Sequence, residues 1–209
     1  MSTALPTYLS PRIWVYGPTA WDQTQMAVIN YVWDLPKPSK LMPNAVVKFA
    51  LDNWTLSGVN TFASGFPQGV GFSTTDNADL TGGGDGVRPL VVDTIQLSHG
   101  DRTLQRWFNT AAFARPRKGS FGNAPVAPIR GPGFNNWDAT LNKRFHLKSE
   151  ARFFELRWEA YNLFNHTQFF AVDSSALFDP TGQQVNGRFG QAYSARPPRI
   201  MQVALRFAF

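Results

Sequence analysis

Apolar and small-or-polar positions alternate without a break along the last eleven residues, Arg199 to Phe209. Met201, Val203, Leu205, Phe207 and Phe209 form one row, and Gln202, Ala204, Arg206 and Ala208 form the other. Successive strand side chains point to opposite faces, so this period predicts a β-strand over 199–209 with one greasy face. Its length matches the roughly 9 to 11 tilted residues that carry a β-strand across a bilayer, and its terminal aromatic falls where an interfacial girdle lies. A soluble sandwich strand shows the same alternation, so the rest of the chain decides.

The period recurs upstream. Over 25–35, Ala27, Ile29, Tyr31, Trp33 and Leu35 oppose Val28, Asn30, Val32 and Asp34; over 54–64, Trp54, Leu56, Gly58 and Phe62 oppose Thr55, Ser57, Thr61 and Ala63. Over 135–147, Trp137, Ala139, Leu141 and Phe145 oppose Asp138, Thr140, Asn142, Arg144 and His146. Over 151–163, Phe154, Leu156, Trp158 and Ala160 oppose Glu155, Arg157 and Glu159. The tight Lys148-Ser149-Glu150 connection makes these last two a predicted hairpin with one apolar and one charged face. Residues 11–16 predict the end of a further strand, broken by Gly17-Pro18. Ala45, Val46, Phe49 and Ala50 stand at helical spacing behind a capping Asn44, which predicts a short helix in the connection.

Residues 66–132 and 165–197 show little alternation and much Gly, Pro, Asp and Asn, so both are expected to be long irregular loops. Only Gln105 to Phe113 suggests a turn of helix, with Trp107 or Phe108 tucked against something. Read backwards from Phe209, the connections run long (165–197), short (148–150), long (66–132) and moderate (36–53). Outer-membrane barrels place short turns on the periplasmic side and long loops outside, and their last strand runs inward. The predicted class is therefore all-β: an antiparallel transmembrane β-barrel segment of about five or six strands with long extracellular loops. The smallest closed barrels use about eight strands, and raw edges are forbidden in lipid, so an incomplete barrel from the C-terminal part of a longer chain is expected.

Composition sharpens this picture. Hydrophobic residues make up 43% of the 209 and charged residues only 16%, with 18 Phe and 7 Trp; an ordinary soluble domain carries about 25% charged residues. No run approaches the roughly 18 apolar residues of a membrane-spanning helix, so any crossing is by strands. Met1-Ser-Thr-Ala-Leu-Pro has no secretory pattern, which an outer-membrane protein needs, so either the membrane reading fails or the chain is expected to continue upstream. The lack of Cys fits an envelope protein without disulfides. The net charge of +6 comes from scattered Lys and Arg, so no nucleic-acid partner is expected.

Candidate chemistry changes little. Gly82 to Gly86 has neither the leading strand nor the Lys-Ser or Lys-Thr of a phosphate cradle and reads as flexible loop. His99, His146 and His166 lack close metal-ligand spacing, and Asp76, Asp79, Asp85, Asp93 and Asp101 miss the calcium-loop pattern. Ser64-Gly65 is not in a nucleophile-elbow context, and no acid–base pair stands out. No enzyme activity, cofactor or metal is expected.

Several stretches together resemble the C-terminal end of TonB-dependent outer-membrane receptors, in particular the Oar-like family. They are Asn30 to Pro36, Asn53 to Gly58, Ser64-Gly-Phe-Pro67, Arg106 to Phe113, Gly119 to Asn123, Arg130-Gly-Pro-Gly133, Trp137-Asp138 with Lys143-Arg-Phe145, Arg157 to His166, Phe189-Gly190 and the terminal strand. The resemblance implies a barrel of about 22 strands whose N-terminal plug couples to TonB for active uptake of an unidentified substrate. It implies as partners the outer-membrane lipid, the TonB complex through that plug, and the assembly machinery through the C-terminal strand. On that resemblance the signal, the plug, the TonB-contacting segment and most of the strands are expected upstream of these residues.

In a closed barrel, Asp138, Arg144, Glu155, Arg157, Glu159 and Arg206 are expected to face the lumen. Trp137, Phe145, Trp158, Phe207 and Phe209 are expected to face lipid or form the girdle. Lys143 falls on the lipid row and is expected to snorkel to the interface. The rival reading is a soluble β-sandwich binding module that stacks carbohydrate on exposed Trp side chains.

Overall fold

Five alternating segments form long strands: β1 (Met26–Asp34), β2 (Trp54–Ala63), β3 (Phe134–His146), β4 (Phe153–Tyr161) and β5 (Ile200–Ala208). The structure, a computed structural model, describes residues 14–82, 86–147 and 152–208. The strands join in sequence order into one antiparallel sheet, so each pairs with its neighbour in the chain. β1, β4 and β5 are 9 residues long, β2 is 10 and β3 is 13, which suits a tilted bilayer crossing. Among the described residues, the outer edges of β1 and β5 pair with no other strand.

Register is set locally at one glycine. Gly58 pairs with Tyr31, and a Cβ built at Gly58 would lie 2.4 Å from the Tyr31 hydroxyl. The tyrosine ring thus lies over backbone that only glycine leaves bare, an aromatic–glycine pairing that pins strand register.

The connection between β1 and β2 contains the predicted helix, α1 (Ala45–Leu51). Asn44 caps it, its side-chain oxygen accepting from the Val46 amide at 2.8 Å. A 3-10 turn, Pro38–Lys40, precedes it. The Asp52 carboxylate receives both the backbone amide and the hydroxyl of Ser39, and the hydroxyl bond holds its pKa below the ordinary 3.8. The Lys148 to Glu150 connection lies outside the described residues.

The two long connections are irregular over most of their described length, yet they pack on a shared core. Residues 14–24, Ser64–Gly133 and Phe169–Ala195 make a second compact unit with its own core. Phe108, Phe113 and Phe189 meet edge to face at 5.2 to 5.8 Å between centroids, alongside buried Ile129, Val172 and Phe178. Short pairs frame this core: Gly71–Thr74 runs parallel to Ser175–Phe178, and Phe169–Val172 runs antiparallel to Ala192–Ala195. Pro67–Gln68 pairs with Ile129–Arg130, and Leu90–Val91 with Phe113–Ala114. The reason is that the apolar side chains come singly from distant segments, so they bury together without any local period. The helical turn expected within Gln105 to Phe113 is a 3-10 turn at Thr110–Ala112. Phe108 is buried beside it, and the Trp107 indole donates to the Arg130 carbonyl at 2.7 Å.

Backbone proximity explains two glycines of this unit. A Cβ on Gly65 would stand 1.8 Å from the Gly131 carbonyl oxygen, and one on Gly122 would stand 1.9 Å from that of Arg88.

The strand expected over 11–16 is corrected in part. Residues 11–13 lie outside the described residues, and Trp14 to Tyr16 are not in a strand. Trp14 instead packs edge-on to Phe121 at 6.2 Å, beneath the Arg88 guanidinium at 4.2 Å, so its partners are in the loop unit.

Candidate functional site

Register carries the alternation of each strand across the whole sheet. Val203, Trp158, Leu141, Leu56 and Trp33 are successive cross-strand partners and form one apolar row. The adjacent row, Ala204, Arg157, Asn142, Thr55 and Asp34, lies on the opposite face. The sheet therefore has one apolar and one polar face, without a register slip to mix them.

Aromatics gather at both ends of the apolar face. At one end Trp137 meets Phe62 at 5.7 Å and Phe164 at 5.5 Å between centroids. At the other, Phe154 meets Phe207 at 4.7 Å and Phe145 meets Phe49 of α1 at 5.0 Å. Leu56, Leu141, Leu156, Val203 and Leu205 lie between. Trp137, Phe145, Trp158 and Phe207 thus share this face, and Phe209 lies outside the described residues.

One member of the apolar face departs from expectation. Lys143 does not reach for solvent: it is 1% exposed, and its ammonium donates to the Asp52 carbonyl at 2.6 Å. The same group stands 5.1 Å from the Trp54 ring and 4.9 Å from the Phe145 ring. The α1 connection folds a carbonyl within reach, so a local acceptor replaces water.

All six charged candidates lie on the polar face. Glu155 stands in register between Arg206 and Arg144 and pairs with Arg144 at 3.0 Å. Glu159 receives Arg157 at 2.8 Å, the Tyr161 hydroxyl at 3.3 Å and the Gln202 amide. Asp138 accepts from the Asn136 side-chain amide at 2.8 Å and the Asn162 backbone amide at 2.9 Å. Each carboxylate is thus held as an acceptor by donors on its own sheet. Tyr161 and Gln202 complete the Glu159 cluster; charge alone does not single them out, but their places in the polar rows do.

Where β3 and β4 reach the long connections, the polar face opens into a cleft of about 440 Å³ lined by Asn136, Asp138, Tyr161, Asn162, Gln168 and Arg196. The Arg196 guanidinium lies 4.0 Å over the Phe134 ring. Sequence reading missed Gln168 and Arg196 because they sit in a connection with no period.

The remaining sequence candidates have structural partners. Asp76 pairs with Arg115 at 2.9 Å, which lowers its pKa. Asp79 accepts the Gly82 amide at 2.8 Å, Asp93 accepts the Thr94 amide at 2.7 Å, and Asp101 accepts the Ser98 hydroxyl at 2.6 Å. Gly83 to Asp85 lie outside the described residues. His166 is 2.9 Å from the Asn135 carbonyl, His146 lies 6.0 Å from the Phe153 ring, and His99 begins a 3-10 turn. Among the described residues no group of three or more His, Cys, Asp or Glu side chains is placed to hold a metal ion.

A family model described as an outer membrane beta barrel domain matches residues 4–202. The chain belongs to the outer-membrane β-barrel domain family. No curated protein and no solved structure matches it. The protein is an integral outer-membrane protein, and membership in the barrel family weighs against the soluble sandwich. Among the described residues no helix is long and apolar enough to cross a membrane, and strands serve that role in a barrel.

Proposed function

We propose that this chain is the C-terminal part of a TonB-dependent outer-membrane receptor of the Oar-like type, whose barrel takes up a substrate actively. The observation that carries the reading is the open sheet itself. β1 and β5 are separated by four antiparallel pairings, so both edges run in the same direction. An antiparallel barrel closes on such a piece only with an odd number of further strands, since an even total is needed. Those strands belong, on this reading, to the upstream part of the receptor, together with the plug through which TonB acts.

The two faces take their roles from the same reading. The apolar face meets lipid, with its aromatic ends as girdles, and the polar face lines the lumen with Asp138, Arg144, Glu155, Arg157, Glu159 and Arg206. The connections at the ends of β2 and β4, folded on an aromatic core, are the extracellular substrate-capturing region. The edge of β5 is the surface offered to the assembly machinery. The resemblance of Ser64 to Pro67, Arg106 to Phe113, Arg130 to Gly133 and Phe189-Gly190 to the receptor family supports this, since these stretches contribute to the loop unit.

The test is binding of the native full-length gene product, extracted folded from outer membranes, to the purified periplasmic domain of TonB. Retention that is lost on deleting the N-terminal TonB-contacting segment is the expected result. A folded barrel that ignores TonB and conducts small solutes passively would overturn the receptor reading and leave a porin-like barrel.

A further inference from the structure

We propose that the segment from Lys37 to Leu51, including α1, is an interfacial anchor that binds anionic phospholipid headgroups at the rim of the barrel. The proposal rests on the reading of the apolar face as the lipid-facing one.

The helix buries none of its side chains. Val46 is 72% exposed and Phe49 66%, and just upstream Leu41 is 89% exposed and Met42 65%. Such a cluster is costly in water and is the usual mark of a contact surface. Val46 and Phe49, three apart, share one side of the helix, and Lys48 projects from another. Lys37, Lys40 and Lys48 are all exposed. The one acidic residue of the connection, Asp52, is 2% exposed and occupied by Ser39. The surface offered outward is therefore greasy and purely cationic, the composition of a helix that lies in a headgroup layer.

Continuity decides the occupant. Phe49 packs on Phe145 at 5.0 Å, and the Trp54 indole donates to the Ala50 carbonyl at 3.1 Å, so α1 is fastened to one end of the apolar face. A bilayer meeting that face ends, at this rim, in the headgroup layer beside Leu41, Met42, Val46 and Phe49. The ligand class is the phosphate of an anionic phospholipid with its upper acyl chain.

The experiment uses the native full-length protein in vesicles of phosphatidylcholine with and without phosphatidylglycerol. A nitroxide at Val46→Cys reports depth through its relative exposure to oxygen and to a water-soluble nickel chelate. A second nitroxide, at Leu205→Cys, reports the sheet face. The expected result is an interfacial depth for Val46 and a phosphatidylglycerol preference of at least about fivefold, lost when Lys37, Lys40 and Lys48 are changed to Gln. A Val46 label that is freely aqueous, or shielded from both reagents by protein, overturns the anchor. So does equal retention of the two lipids. With Leu205 in lipid, such results sink the anchor alone; with Leu205 in water, the lipid-face reading falls and takes the anchor with it.

Discussion

The Lys143 ammonium donates to the Asp52 carbonyl at 2.6 Å from a position on the apolar face of the sheet. A cation is tolerated there because the connection carrying α1 supplies an acceptor and the Trp54 and Phe145 rings flank it. Lys143→Met keeps the stem volume and loses the bond, with an expected cost of about 1 kcal/mol. Lys143→Ala also opens a gap, with an expected cost of about 2–3 kcal/mol. Thermal loss of the heat-modifiable band of the full-length protein ranks them; equal midpoints for both variants and wild type would show that the bond contributes nothing.

Tyr31 over Gly58 yields a second prediction. Gly58→Val puts branched atoms where the tyrosine ring lies, and overpacking of this kind costs about 1–3 kcal/mol. A Cβ there would also stand 2.5 Å from the Asp138 carbonyl oxygen, so Tyr31→Ala with Gly58→Val removes only the ring's share of the clash; the double variant is still expected to lose stability, but less than the two single costs add up to. Additive losses in urea unfolding would refute the pairing.

The Glu159 cluster gives a third. Glu159→Ala strips Arg157, Tyr161 and Gln202 of a shared acceptor at a 9% exposed position, with an expected cost of about 1–3 kcal/mol. A double-mutant cycle with Gln202→Leu is expected to return a coupling of about 0.5 kcal/mol or more. Zero coupling would mean that the two side chains do not interact.

Acid is expected to loosen the loop unit. Asp76 is held below 3.8 by the Arg115 side chain, and Asp179 below 3.8 by the Thr181 hydroxyl and the Gln183 amide. A depressed carboxylate contributes stability above its unfolded pKa and loses it as pH falls through the lowered folded value. Hydrogen-exchange protection over 64–82, corrected for intrinsic rate, should hold from pH 7 to about 5 and decline below about pH 4. Asp76→Asn should start lower at pH 7 and decline less. A wild-type profile flat to pH 2 would contradict this.

What was legible in the sequence follows from where order is local. β1 to β5 announce themselves because each keeps a period of two, and α1 because Asn44 stands before a helical spacing. The faces of Asp138, Glu155 and Glu159 follow from counting along a strand. The loop unit has no such signal: Phe108, Phe113, Phe178 and Phe189 lie up to dozens of residues apart and form a core only when the chain has folded. The fate of Lys143 was hidden for the same reason, since its acceptor belongs to the α1 connection.

On the proposed reading, the apolar face meets lipid and the polar face meets water. These 209 residues contain no cysteine, so once any cysteine upstream is replaced, single thiols along β5 report one position each. With the full-length protein in outer membranes, a water-soluble maleimide should label Cys at 202, 204 and 206 and spare Cys at 201, 203, 205 and 207. Uniform labelling, or the opposite phase, would contradict the account.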